Sequence, residues 1–165
     1  VELLLPEQAW PLRLSVVKGR DLQHPVWRLP PLAPRVGGVT LQFDTPLRIH
    51  RQGEPLAAAG LDARTLCLSL LRRLQGVFGQ DWLPEAEVAR LLAALDSLSL
   101  TGNRLRWREL TRYSNRQERE VKLGGLTGSV RLEGNLTAWL PLIVLGQVVH
   151  LGKNTTLGFG HYRID

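Results

Sequence analysis

From Val39 onward the hydrophobic residues fall on odd positions. Val39, Leu41, Phe43, Leu47 and Ile49 alternate with Thr40, Gln42, Asp44, Arg48 and His50. Successive side chains of a strand point to opposite faces, so this pattern predicts a long strand with one buried face. Pro46 has no N–H to give, which places the strand at an edge or bulges it there. Beyond a turn around Gly53–Gly60 the spacing changes. Leu66, Leu70, Leu71 and Leu74 form a helical stripe, Arg64, Arg72 and Arg73 take its wet side, and Asp62 is the expected N-cap of a helix reaching about Val77. A second helix opens at Pro84 and carries Val88, Leu91, Leu92 and Leu95. Gly102-Asn103 marks a turn. Leu105 and Trp107 then alternate with Arg104, Arg106 and Arg108, a strand whose Trp107 faces the core. Residues 114–125 read as a polar loop closed by Gly124-Gly125, and Val130 and Leu132 mark a returning strand. An apolar helix from about Thr137 to His150, with Trp139 in the core, precedes a glycine loop and a final strand.

The order is strand, helix with a second helix appended, strand, strand, helix, strand. This predicts an α+β fold of the ferredoxin-like βαββαβ type, with helices on one face of an antiparallel sheet and one added helix. Upstream, residues 11–18 alternate as a half-buried strand, and residues 24–38 hold four of the ten prolines, as a connector between units would.

Composition narrows the function. The chain has 165 residues, 44% hydrophobic and 22% charged, with 21 Lys plus Arg against 15 Asp plus Glu. A net charge of +6 carried largely by arginine favours an anionic partner, nucleic acid ahead of an acidic membrane. Cys67 is the single cysteine, in an apolar helical run, so neither a disulfide framework nor a zinc site is available to it. That suits a reducing cytoplasm. The apolar run Leu136–Leu151 contains Pro141 and Gly146 and is too short to span a bilayer. No histidine pair or carboxylate cluster has metal-ligand spacing, and no cofactor is implied. The chain opens on Val1 and contains no methionine, so a fragment of a longer protein is expected.

Two segments carry candidate chemistry. His150-Leu151-Gly152-Lys153 runs into Gly158-Phe159-Gly160. Three glycines so close together permit positive φ, and exposed N–H groups beside Lys153 would cradle a phosphate. The alternative is a tight helix-to-strand turn. Gly146 to Asn154 is no P-loop, because five residues separate its glycines and Asn154 stands where a hydroxyl should bind magnesium. The other segment, Arg104 to Lys122, holds seven basic residues against three acidic ones. Arg104, Arg106 and Arg108 would project from one strand face roughly 7 Å apart, close to the phosphate spacing of a nucleic acid. The alternative is a solvated face paired with Glu109, Glu118 and Glu120.

These segments resemble the carboxy-terminal half of the CRISPR-associated endoribonucleases of the Cas-six type, RAMP-superfamily proteins that process precursor guide RNA. The resemblance rests on Thr45-Pro46-Leu47-Arg48, then Arg112-Tyr113-Ser114-Asn115-Arg116-Gln117, then Leu123-Gly124-Gly125-Leu126-Thr127-Gly128. The helix entry from Gly134 to Leu142 and the glycine loop follow in the same order. Such proteins carry two ferredoxin-like domains in tandem. The resemblance therefore implies that residues 1–36 are the tail of a preceding domain plus a proline-rich linker, and residues 37–165 the second domain with its glycine-rich loop.

It also implies an RNA partner, the CRISPR repeat transcript, and other CRISPR-associated proteins. The implied RNA-binding residues are Arg104, Arg106, Arg108, Arg112, Arg116, Gly152, Lys153, Gly158 and Gly160. The family chemistry needs no metal: a ribose 2′-hydroxyl attacks the adjacent phosphate, leaving a cyclic phosphate and a 5′-hydroxyl. His150 is the best-placed proton-transfer candidate in this window, against a purely structural role at a helix end. His50 is a weaker candidate for RNA contact, and His24 and His161 have no evident partner. In much of the family the catalytic histidine lies in the first domain. Two other readings stay open, a non-catalytic RAMP subunit holding guide RNA and a ferredoxin-like module for a protein or small ligand.

Overall fold

The computed structural model describes residues 37–114 and 119–165, with backbone alone at 112–114 and 119–122. The strand expected at 11–18, nearly all of the connector and Arg116 lie outside the described residues, and Arg112 is placed by its backbone only.

Strand β1 (Gly38–Leu47) is the centre of the sheet. Val39, Leu41, Phe43, Leu47 and Ile49 are all buried, as their odd-position period requires. The proline problem is solved by a bulge rather than an edge: the register shifts between Phe43 and Leu47, bringing Leu47 opposite Leu126. Two short strands, β2 (His50–Arg51) and β3 (Glu54–Pro55), then form a small hairpin.

Helix α1 (Ala63–Phe78) starts where Asp62 accepts the Thr65 N–H at 2.6 Å. It buries Leu66, Cys67, Leu70, Leu71 and Leu74. Burial pushes the Cys67 thiol up to about 12, so it stays protonated. Helix α2 (Glu85–Ala94) follows Pro84 and has acidic residues in its first turn, where the helix dipole favours them. Leu91 and Leu95 are buried, but the expected core residue Leu92 is exposed.

The second strand of the motif is interrupted. β4 (Ser99–Thr101) and β5 (Arg106–Arg108) both pair antiparallel with β8 (Gly125–Glu133). The turn read at Gly102-Asn103 is therefore a local excursion between two strands on one partner. Asn103 clamps it, accepting the Leu105 N–H and donating to the Ala58 carbonyl, both at 3.0 Å. Between β5 and β8, β6 (Thr111–Ser114) and β7 (Arg119–Lys122) pair as an antiparallel hairpin. This corrects the polar loop expected at 114–125. Its sequence is mostly polar and carries no apolar alternation to announce a pair of strands.

Helix α3 (Leu140–Val149) begins later than expected, because 136–139 form turns first. Trp139 is fully buried and its indole N–H donates to the Leu91 carbonyl at 3.0 Å, tying α2 to the start of α3. The chain closes with β9 (Tyr162–Ile164) against β1. Tyr162 is buried and donates its hydroxyl to the Ile143 carbonyl at 2.5 Å, fixing α3 to the sheet.

The sheet order is β4/β5, β8, β1, β9, antiparallel throughout, with helices on one face. That is the ferredoxin-like fold. The other face presents Thr40, Gln42, Ser129 and Arg131, all half-buried or exposed. No helix among the described residues is long and apolar enough to cross a membrane.

Candidate nucleic-acid interface

Two basic surfaces flank the end of β1. The first is the arginine row. Arg106 pairs with Thr127 and Arg108 with Gly125, and the Arg104 N–H donates to the Ser129 carbonyl at 2.8 Å. The three side chains are exposed on the open side of the sheet, and none has an ion pair among the described residues. The glutamate pairing offered as an alternative fails for Glu109, which instead accepts the Trp107 indole N–H at 2.9 Å. Trp107 itself is a correction. It shares a face with buried Leu126, yet it is 42% exposed. At this sheet edge its ring lies against the Gly124 backbone, where a Cβ would collide with it, rather than under a helix.

The second surface surrounds the glycine loop. His150 ends α3 with φ 63, and Gly152, Asn154, Gly158 and Gly160 also have positive φ. The loop is held by its own carbonyls and by those at the end of β1. Leu151 N–H donates to Gly160 O (3.0 Å), Gly160 N–H to Pro46 O (3.0 Å) and Lys153 N–H to Arg48 O (2.7 Å). Leu157, Gly158 and Phe159 N–H groups are also used inside the loop. Most of the N–H groups expected to face a phosphate are thus internal, and the loop presents the Lys153 side chain instead. At Gly160 a Cβ would strike the Leu151 carbonyl, and at Gly152 the Arg48 carbonyl; Gly158 has open space around it.

Beside this loop lies a cleft of about 560 Å³ lined by Arg48, His50, Arg51, Arg72, Arg73 and Lys153, with the hydroxyls of Thr65 and Ser69. No carboxylate among the described residues lines it. Arg48 donates to His50 Nε2 (3.1 Å) and to the Gly124 carbonyl (3.2 Å), and so joins the cleft to the β5–β8 edge. Arg73 Nε donates to the Val149 carbonyl at the end of α3 (2.9 Å). Arg51 is bound by Asp62 at 2.9 Å. Arg48 and Lys153 can both only donate, so a neutral His50, with one acceptor nitrogen, accepts from one of them, at Nε2 (3.1 Å from Arg48) or at Nδ1 (3.4 Å from Lys153). Burial and then the charges of Lys153 and Arg48 hold His50 below its ordinary value of 6.5, while Glu54 and a Gly53 backbone bond act the other way. The sequence missed Arg51, Arg72 and Arg73 as site residues because they sit on separate segments, in what reads as ordinary helix and turn surface.

His150 does not line this cleft. Its Nδ1 lies 3.1 Å from the Phe159 carbonyl, a structural bond within the loop. Its ring packs edge-on against His161 at 5.3 Å, so His161 gains the partner that sequence could not name. His161 Nδ1 is 3.6 Å from Asp44, whose carboxyl is held below the usual range first by its hydrogen bond from Arg163. No group of three or more His, Cys, Asp or Glu able to hold a metal is present among the described residues.

A family model for the CRISPR-associated endoribonuclease Cas6 matches residues 41–162, most of the chain. The chain belongs to the Cas6 family. Among solved structures, a Cas6 product complex is 25% identical with a TM-score of 0.54, covering 81% of this chain and 53% of that one. Thermus thermophilus Cas6 superposes with a TM-score of 0.61 at 22% identity, covering 81% of this chain and 55% of that one. A partial Cas6-RT-Cas1–Cas2 complex shares the fold at 16% identity and a TM-score of 0.55, covering 80% of this chain and 23% of that one. The chain thus spans about half the length of the first two structures. No curated protein sequence matches it.

Proposed function

We propose that this chain is the RNA-binding, carboxy-terminal domain of an endoribonuclease that processes precursor CRISPR guide RNA. The observation that carries it is the row of Arg104, Arg106 and Arg108, exposed on the open side of the sheet with no ion pair among the described residues. Unpaired arginines at strand spacing suit successive phosphates, and a side chain gains little from the deep groove of an RNA helix, so backbone contact is the expected mode. Arg112, Arg116 and the glycine loop with Gly152, Lys153, Gly158 and Gly160 complete the proposed surface. Residues 1–36 are then the tail and linker of a preceding domain, and the protein works in the cytoplasm beside other CRISPR-associated proteins. A neighbour solved as part of a Cas6-RT-Cas1–Cas2 complex agrees with such company.

In this reading the full-length protein cleaves without metal, leaving a cyclic phosphate and a 5′-hydroxyl, and this domain supplies binding and alignment. A base, an acid and a phosphate-stabilising cation must converge on one phosphodiester. Here His150 is tied to a loop carbonyl, so the domain alone binds repeat RNA and cuts it slowly or not at all. The test incubates labelled repeat RNA with the chain in excess EDTA and examines the ends. Retained binding without site-specific cleavage is expected. Rapid cleavage abolished by His150→Ala would move the active site into this domain, and absence of RNA binding would sink the whole reading.

A further inference from the structure

The cleft beside the glycine loop holds more positive charge than the arginine row and arranges it differently. We infer that this cleft, between α1, the β1–β2 segment and Lys153, is a phosphate site that grips an RNA phosphate apart from the arginine row. The inference rests on the RNA reading above and adds to it a second contact region.

Three observations carry it. The first is charge: among the described residues, Arg51 alone of the five permanent cations lining the cleft is neutralised, by Asp62, and no carboxylate lines the walls. Cations crowded on a concave surface repel one another and focus potential inward, an arrangement that an entering anion relieves. The second is preorganisation. Arg48 and Arg73 are fixed by backbone carbonyls of Gly124 and Val149 through Nη1 and Nε. Their remaining guanidinium N–H groups, such as Nη2 of each, have no partner among the described residues. Arg72 and Lys153 add a guanidinium and an ammonium to that fixed pair. The third is donor chemistry: the Ser69 hydroxyl, on the same wall as Arg72 and Arg73, has no partner among the described residues. A ring of donors with no matching acceptor fits a phosphate, whose oxygens only accept.

His50 makes the site sensitive to pH. Facing it are Arg48 and Arg51 from its own segment, Arg72 and Arg73 from α1, Lys153 from the loop and Glu54 from β3. Burial first, and then the charges of Lys153 and Arg48 against that of Glu54, hold the ring below its ordinary value. A phosphate reverses that balance, so binding takes up a proton and tightens as pH falls.

The phosphate has two sources, a backbone diester or a terminal monoester, and the experiment separates them. The 165-residue chain is titrated with a twelve-nucleotide single-stranded RNA bearing a 5′-hydroxyl, with the same RNA bearing a 5′-phosphate, and with inorganic pyrophosphate. Wild type is compared with Arg72→Glu and with Arg106→Glu, two exposed positions whose melting temperatures are expected to hold. If the diester is the ligand, Arg72→Glu weakens both RNAs equally, about tenfold or more at low salt, and abolishes pyrophosphate competition. If the terminal group is the ligand, the 5′-phosphate RNA binds more tightly and Arg72→Glu removes only that advantage. Loss of binding in Arg106→Glu with Arg72→Glu unchanged overturns the cleft and leaves the RNA reading standing. Pyrophosphate binding that needs Arg72, in a chain that binds neither RNA, keeps a phosphate site and overturns the RNA reading. A chain that binds none of the three overturns both.

Discussion

The arginine row on β5 and the basic cleft beside the glycine loop are both cationic, yet they are built in opposite ways. The row is local. Alternation along one strand puts Arg104, Arg106 and Arg108 on the same side, and no carbonyl or carboxylate holds them among the described residues. The cleft is assembled. Arg48 and His50 come from the first strand and its extension, Arg72 and Arg73 from α1, and Lys153 from the loop after α3. Long free side chains follow a flexible backbone at the cost of their own entropy, whereas anchored guanidinium groups have already lost it. The row is suited to general attraction and the cleft to position. Arg48 connects them, since its guanidinium reaches Gly124 while its carbonyl receives the Lys153 N–H.

The largest effect is expected where the cleft depends on backbone. Gly160→Val places a branched side chain at φ 74 and into the Leu151 carbonyl, so a loss of roughly 3 kcal/mol or more is expected, seen as a large fall in melting temperature. A variant that melts like wild type would show that the loop does not need its observed shape. Gly158→Ala is the matched contrast. It meets open space and carries only the φ penalty, about 1 kcal/mol. An equal effect at both glycines would remove the distinction between collision and conformation.

Next in size, Arg104, Arg106 and Arg108 replaced together by alanine should weaken RNA binding by about a hundredfold at low salt and flatten the plot of log affinity against log salt by about 2 to 3. Thermal stability should barely change, because these side chains are exposed and unpaired. Unchanged binding in a polarisation assay would show that the row is only solvated surface and would leave RNA contact to the cleft and the other proposed residues.

The smallest effect concerns His50. Folding lowers its proton affinity, so as pH falls through the ordinary value of 6.5 the unfolded chain takes up a proton first. Its contribution to stability is present above that pH and lost below it. Binding runs the other way: RNA affinity should rise severalfold between about pH 7.5 and 5.5, because a bound phosphate favours the protonated ring. His50→Gln should flatten that slope while leaving affinity at pH 8 nearly unchanged. A slope that survives the substitution would assign the proton to another group.

The elements were legible wherever burial imposed a period. The odd positions of β1, the Asp62 cap and leucine stripe of α1, and the apolar run of α3 each announce themselves, and their order specifies the ferredoxin-like topology. Legibility failed where burial did not choose the pattern. The β6–β7 hairpin is polar and read as loop, and Trp107 alternates correctly but lies at a sheet edge. The split of one strand into β4 and β5 depends on Asn103 reaching Ala58, a contact 45 residues away in sequence.

The sequence by itself determined the fold class, the arginine row and the need for glycine near the carboxy terminus, because each follows from side-chain period or backbone geometry within a few residues. Tertiary structure alone decided the cleft. Arg48, Arg72 and Lys153 are ordinary surface cations along the chain, and only the parallel bridge between Arg48 and Gly152 and the placement of α1 against that edge set them around one space. It also decided the state of His50 and the pairing of His150 with His161, since proton affinity and ring packing depend on neighbours that the chain brings together from more than a hundred and from eleven residues away.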